Sequence, residues 1–209
     1  MLTQTHKIIA RNIHDNILNK YDVDLNIDKL QWGAIAPDVL PYYKLIRHYK
    51  EESIDYIAKE IVSLIYLCRY ADLHGDKDSL LLKYLSKKIG IISHYLCDYN
   101  CYPHAYRMTF INSMKSHIKY ESDLGIYAEN HEFAEINWDI AKLNIYNNGK
   151  KSLQTRIKTY INDAVDCYMK APKGFSTDLD YALKLSGDIA YFIIETILEY
   201  SVELQFQFI

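Results

Sequence analysis

Eight histidines carry most of the chemical information in this chain of 209 residues, because a neutral imidazole is both a metal ligand and a proton-transfer group near neutral pH. Five of them have an acidic residue four positions on: His48/Glu52, His74/Asp78, His94/Asp98, His117/Glu121 and His131/Glu135. With 27 acidic residues in the chain, chance gives roughly one such pair, and an offset of four puts both groups on one helix face. Taken singly, such a pair is usually a surface ion pair contributing a few tenths of a kcal/mol, so context must separate them. His74 stands beside Gly75 in a helix-ending segment, and His131 lies in the polar run Glu129-Asn130-His131-Glu132 and reads as solvated surface. His94 and Asp98 differ. They sit in Gly90-Ile91-Ile92-Ser93-His94-Tyr95-Leu96-Cys97-Asp98-Tyr99, an almost uncharged stretch where unpaired polar groups are costly to bury. Pro103 then ends the helix, His104 follows in the turn, and His117/Glu121 comes one helix later.

His94, Asp98, His104, His117 and Glu121 are thus five candidate ligands in 28 residues. Imidazole and carboxylate without thiolate suit zinc in an open, catalytic site rather than a closed structural one. A rival is one structural zinc held by Cys97, Cys101, His94 and His104, which leaves Asp98, His117 and Glu121 unexplained.

The elements that position these residues read as helices. Apolar residues recur at three and four over roughly 3–20, 51–72, 78–100, 105–121, 151–170 and 177–205, with a shorter helix near 130–144. Caps agree: Ser53 or Asp55 for the second, Asp78 or Ser79 for the third, and Ser176, Thr177 or Asp178 for the last. The segment from Asp22 to Tyr43, with Trp32-Gly33, Pro37 and Pro41, reads as a long irregular loop, and loops of that length are usually functional. The last two helices read as plain bundle packing. Seven glycines and four prolines, roughly 5% of the chain against about 12% in average usage, leave too little turn chemistry for a sandwich or barrel. The expectation is an all-α, compact multi-helix bundle forming a single domain over 1–209.

Net charge is −3 and lysines come in pairs at most, which excludes the basic field needed to hold duplex nucleic acid. No stretch is apolar for long enough to span a bilayer: Ile61–Cys68 is too short, and the C-terminal run is broken by Glu195, Glu199 and Glu203. At most peripheral membrane contact is expected. No signal peptide is visible ahead of the first amphipathic pattern, so the expected location is cytoplasmic as written, or secreted if the start is truncated. Cys68, Cys97, Cys101 and Cys167 are expected to be free thiols.

With these residues in view, the sequence resembles the zinc-dependent phospholipase C family of bacteria, an all-helical trinuclear-zinc fold shared with the fungal single-strand-specific nucleases. The matching residues are Thr5-His6, Ala36-Pro37-Asp38, His48, His94-Tyr95-Leu96-Cys97-Asp98, Tyr102-Pro103-His104 and His117-x3-Glu121. They span positions 5 to 121, just over half of the chain, and the C-terminal helices resemble the family only in being helical. The resemblance implies one zinc held by Asp38, His48, His94 and Asp98, a second by His104, His117 and Glu121, and a third by His6 and a bridging Asp98. In the family the α-amino group and carbonyl of the N-terminal residue complete the third site. Here Met1 stands five residues before His6, and Met1, water or an empty third site are the alternatives, giving two or three zinc ions per chain. The implied activity is hydrolysis of a phosphodiester. Paired zinc ions lower the pKa of a shared water to give hydroxide and clamp the phosphoryl oxygens, and Asp38 is the catalytic residue that orients that water or takes its proton.

The expected substrate is a small-molecule or lipid phosphodiester, a phospholipid or its head-group ester. The alternatives are a single-strand nuclease-like phosphodiesterase, or a non-catalytic helical interaction protein that keeps zinc for stability. Tyr42, Tyr43, Tyr49, Tyr95, Tyr102 and Tyr106 lie near the candidate ligands in sequence. They are able to cage a quaternary ammonium or stack a base, although bundle packing accounts for any one of them. Trp32, beside Gly33, is a further aromatic of this kind, and a frayed or packed terminus accounts for the apolar tail Phe206-Gln207-Phe208-Ile209, with bilayer contact the alternative.

Overall fold

The computed structural model describes residues 1–108, 111–134, 143 and 151–207. Among them there is no strand, and the fold is all-α. The elements are α1 Thr3–Tyr21, α2 Ile27–Val39, a 3-10 turn Pro41–Leu45, α3 Lys50–Cys68, α4 Leu80–Tyr99, α5 Tyr102–Ala105, α6 Ile111–Ala128, α7 Leu153–Lys170 and α8 Phe175–Gln207. Side chains satisfy orphan amides at several helix starts. Asn26 accepts from Lys29 N at 3.0 Å, Ser79 from Leu82 N at 3.3 Å and Ser152 from Thr155 N at 3.2 Å. α1 ends where Asp22 turns left-handed at φ 55° and returns its N–H to Leu18 O.

α4 is the central element. From Ile89 to Tyr99 every residue is buried, so the helix is enclosed on all sides, with α1, α2, α3 and α8 packed around it. His94 and Asp98 are therefore carried into the interior by the helix that forms the core.

Two departures from the sequence expectation matter. The segment read as an irregular loop from Asp22 to Tyr43 contains α2 and most of the 3-10 turn. Its glycine serves a helix crossing rather than a turn. A Cβ on Gly33 would lie 2.1 Å from Lys87 O, and one on Gly90 would lie 2.2 Å from Leu30 O and 2.7 Å from Ala34 N. Only two glycines facing each other let α2 and α4 approach this closely. Pro37 falls in the last turn of α2, which ends at Val39, as suits a residue that removes an i→i−4 hydrogen bond. Asp38 is accordingly a helix-end residue, not a loop residue. The helix expected over 105–121 is instead divided into the short α5 and a separate α6, and it extends to Ala128.

Gly90→Ala is expected to force the α2–α4 backbones apart and to cost about 3 kcal/mol, read as a shift in the urea midpoint. The same displacement separates Asp38 from His94. An unchanged midpoint would mean that the crossing has slack the geometry does not show.

The helix expected near 130–144 falls largely on 135–142, outside the described residues, and 131–134 is not helical. The tail at 206–209 also lies outside the described side chains. No helix among the described residues is long and apolar enough to cross a membrane. All four cysteines are free, Cys68, Cys97 and Cys101 buried and Cys167 exposed.

Candidate metal centre

Five helices and one connecting segment converge on one point. α1 supplies His6, the end of α2 supplies Asp38, the chain just before α3 supplies His48, α4 supplies His94 and Asp98, α5 supplies His104, and α6 supplies His117 and Glu121. The helical offset of four works as expected for His94/Asp98 and His117/Glu121. It misleads for His48, whose partners are Asp98 and Asp38, while Glu52 pairs with Arg107 at 3.3 Å.

Three groups of donor atoms form, each within 4.8 Å of one another: His6, His94 and Asp98; Asp38, His48 and His94; His104, His117 and Glu121. All eight residues expected as ligands are in these groups. Among the described residues no such group contains a cysteine, and Cys97 Sγ instead lies 3.4 Å from Ser186 Oγ. The cysteine–histidine zinc alternative is not assembled.

Asp98 stands between the groups, buried, with its two oxygens divided. Oδ2 is 2.9 Å from His48 Nδ1 and 3.4 Å from His94 Nε2. Oδ1 is 2.5 Å from the Met1 amino nitrogen, 3.4 Å from His6 Nε2 and 3.8 Å from His104 Nε2. Glu121 Oε1 is similarly shared, 3.0 Å from both His104 Nε2 and the Met1 nitrogen and 3.1 Å from His117 Nε2. Asp38 Oδ1 faces His94 Nε2 at 3.6 Å and His48 Nδ1 at 3.8 Å.

The tautomer of His94 is set from outside. Its Nδ1 donates to Ala34 O at 2.8 Å, which leaves the Nε2 lone pair facing the centre, the usual arrangement behind a ligating histidine. His117 Nδ1 faces Met108 O at 3.4 Å in the same manner. Two histidines are incomplete: both ring nitrogens of His6 and Nδ1 of His104 are buried without a hydrogen-bond partner. Buried orphans of this kind are rare and call for a partner.

The electrostatics fit a cation site. Burial pushes the Asp98 carboxyl up, but His104, the Met1 amino group, His94 and the His48 hydrogen bond together hold it well below the usual carboxylate range. Burial also opposes ionisation of Glu121, and hydrogen bonds from His104 and His117 outweigh it and depress its pKa strongly. His94 is pushed down by burial and by His6, which favours the neutral, ligating imidazole. For His6, burial pulls down, but Asp98, with Oδ1 3.4 Å from Nε2, and Cys97 lift the pKa to about 9, so a cation bound there displaces a proton. Asp38 is raised, by burial first and by Asp98 second.

The depressed Asp98 and Glu121 give the metal-free protein a stability contribution that is complete above the ordinary carboxylate range. It is lost as pH falls through that range, because the unfolded chain takes protons first. Thermal melts in chelator are expected to fall between pH 6 and about 4, and to fall less in Asp98→Asn; equal profiles for the two proteins would show that Asp98 is not preferentially ionised in the fold.

Beside the donors, a cavity of about 160 Å³ is lined by His48, His104, Lys50, Tyr99, Asp166 and Met169, among others. It gives a small ligand access to His48 and His104.

One supporting residue has no signal in the sequence beyond a capping position. Asp178, buried in the first turn of α8, accepts from Tyr102 N at 2.9 Å, Tyr120 Oη at 2.9 Å and Tyr168 Oη at 2.7 Å. It ties α8 to the helices bearing His104 and Glu121, so the last helices do more than pack. Burial raises its pKa to about 6. Asp178→Ala orphans three donors and is expected to cost about 3 kcal/mol, measured by denaturant unfolding; a loss below about 0.5 kcal/mol would show that water replaces the carboxylate.

His131 also departs from expectation. It is not a solvated surface residue: its side chain is nearly buried and its Nε2 lies 2.8 Å from Asp180 Oδ1.

The family model for zinc dependent phospholipase C matches residues 5–175, which includes every donor residue named above. Neither the curated proteins nor the solved structures contain a match.

Proposed function

Because the chain belongs to the zinc-dependent phospholipase C family, we propose that it hydrolyses a phospholipid or head-group phosphodiester at the centre formed by His6, Asp38, His48, His94, Asp98, His104, His117 and Glu121. The observation that carries this reading is the divided carboxylate of Asp98, one oxygen toward His48 and His94 and the other toward His6 and the Met1 nitrogen. That arrangement suits a carboxylate bridging two cations and is an expensive way to build an ordinary core.

The residues fit zinc. The donors are imidazole nitrogens and carboxylate oxygens in three close groups, and the buried His6 Nε2, beside Asp98 Oδ1 but without a hydrogen bond, is what a cation would satisfy. Zinc bound there supplies Lewis-acid polarisation of a phosphoryl oxygen and lowers the pKa of water.

The chain's own residues do the rest. Ala34 O fixes the His94 ring so that Nε2 keeps its lone pair. Asp98 concentrates negative charge between the groups and stays ionised. Asp38 is the carboxylate of the group with the most solvent contact, 36% exposed, against 1% for Asp98. It accepts the proton of the attacking water at a carboxylate oxygen. The cavity at His48 and His104 receives the phosphodiester, with Lys50 on its wall.

The test is hydrolysis of soluble short-chain phosphatidylcholine, with phosphate-ester product measured directly. Activity is expected to disappear with chelator and to return with zinc. If phosphatidylcholine and simple aryl phosphodiesters are all untouched by zinc-loaded protein, the hydrolase reading is wrong.

A further inference from the structure

Between Asp38 and Glu51 the chain carries Lys44, Arg47 and Lys50 and no acidic side chain, in a protein of net charge −3. The 3-10 turn Pro41–Leu45 sorts this segment into rows, because three residues per turn bring i and i+3 onto one side. Leu40, Tyr43 and Ile46 form the inward row, packed against the core. Tyr42 and Leu45 form an outward row, 69% and 86% exposed. Pro41, Lys44 and Arg47 form a third row, also exposed. Lys44 has no ion-pair partner among the described residues, and Arg47 meets only Glu52, at 4.0 Å.

Packing explains the inward row and leaves the outward one without a purpose. Tyr42 is braced edge-on against Tyr43, ring centroids 5.2 Å apart, so the exposed apolar face stands on an anchored base. The turn lies between Asp38 and His48, two members of one donor group. On α6, Met114 and Ile118, both more than half exposed, border the helical line of His117 and Glu121. Exposed apolar side chains therefore edge the donors on two elements.

We propose that the Pro41–Arg47 face docks on a phospholipid surface bearing anionic headgroups. Tyr42 and Leu45 enter the boundary between headgroups and acyl chains, and Lys44 and Arg47 meet the anionic phosphates. Two apolar side chains are far too few for a protein interface of about 800 Å² per partner, but they suit shallow insertion backed by cations. The sign of the segment, opposite to that of the whole chain, selects anionic lipid. This inference rests on the phospholipase reading for the purpose of docking, since it sets lipid headgroups beside Asp38 and His48, but not for the binding itself.

The experiment is cosedimentation of the full chain with vesicles of equal parts phosphatidylglycerol and phosphatidylcholine, and with pure phosphatidylcholine vesicles, alongside the rate on soluble short-chain phosphatidylcholine. Leu45→Asp is expected to lower partitioning about tenfold. Lys44→Glu is expected to lower it several-fold, on the anionic vesicles alone. Both variants should keep the wild-type melting temperature and the wild-type rate on the soluble substrate. Wild type that fails to sediment with anionic vesicles, or variants that sediment equally, would overturn the docking face even where the soluble ester is hydrolysed. Leu45-dependent sedimentation without hydrolysis of any ester upholds the face and removes the phospholipase reading instead.

Discussion

Asp98→Asn is expected to abolish zinc loading at the centre and hydrolysis with it. The substitution keeps the shape of the side chain and removes the charge that His48, His94, His6 and the Met1 amino group surround. It also turns an amide NH₂ toward one of the two sets of partners, so that set loses the carboxylate oxygen a cation would need. Because one carboxylate serves two groups, its loss weakens both. Zinc affinity should fall by about a hundredfold or more, read by competition with a chelating dye. A control at the exposed, remote Asp163, Asp163→Asn, should leave zinc affinity unchanged. If Asp98→Asn bound zinc as wild type does, the bridging role would be wrong.

Asp38→Asn makes the opposite separation. Its oxygen lies farther from the neighbouring imidazoles, at 3.6 and 3.8 Å, and it is the more exposed of the two carboxylates near His94. Most zinc should remain bound, while kcat falls by roughly 10²–10⁴, the range for loss of a positioned general base. The acidic limb of the wild-type pH–rate profile should vanish in the variant. A variant with wild-type kcat would remove Asp38 from the proton transfer. Together the two substitutions distinguish a residue that holds metal from one that acts beside it.

The donors were legible in the sequence where local periodicity places them. His94/Asp98 and His117/Glu121 each share a helix face, and an almost uncharged run makes the first pair conspicuous. His104 follows Pro103, which opens the short α5 just after α4 ends rather than ending α4 itself. His6, Asp38 and His48 came only through the family resemblance, since no local rule links them to α4. The pairing of His48 with Glu52 was a false lead of the same offset rule, because His48 precedes α3 and its ring turns to Asp98 instead.

The segment around Trp32-Gly33 and Pro37 was misread for a physical reason. Glycine and proline mark turns in most sequences, but Gly33 is required by the close backbone approach to Gly90, and Pro37 stands in the last turn of α2, just before the helix ends. Nothing within the segment announces a partner helix 57 residues on in sequence, as the Gly33–Gly90 contact requires. Asp178 and His131 were hidden by the same kind of distance. Asp178 takes hydrogen bonds from Tyr102 and Tyr120, 76 and 58 residues away, and His131 meets Asp180, 49 residues on. Local patterning identifies helices and same-face pairs; buried polar braces between elements become visible only once the bundle has been assembled.

The central claim is that eight side chains from separate elements form one multinuclear zinc centre. Elemental analysis of protein purified without a metal-affinity tag, for wild type and for His94→Ala, tests it most directly. His94 belongs to two of the three donor groups, so the account predicts two or three zinc ions per chain in wild type and a sharp fall in the variant. No zinc in the wild type even after zinc is supplied, or equal zinc in both proteins, would contradict it.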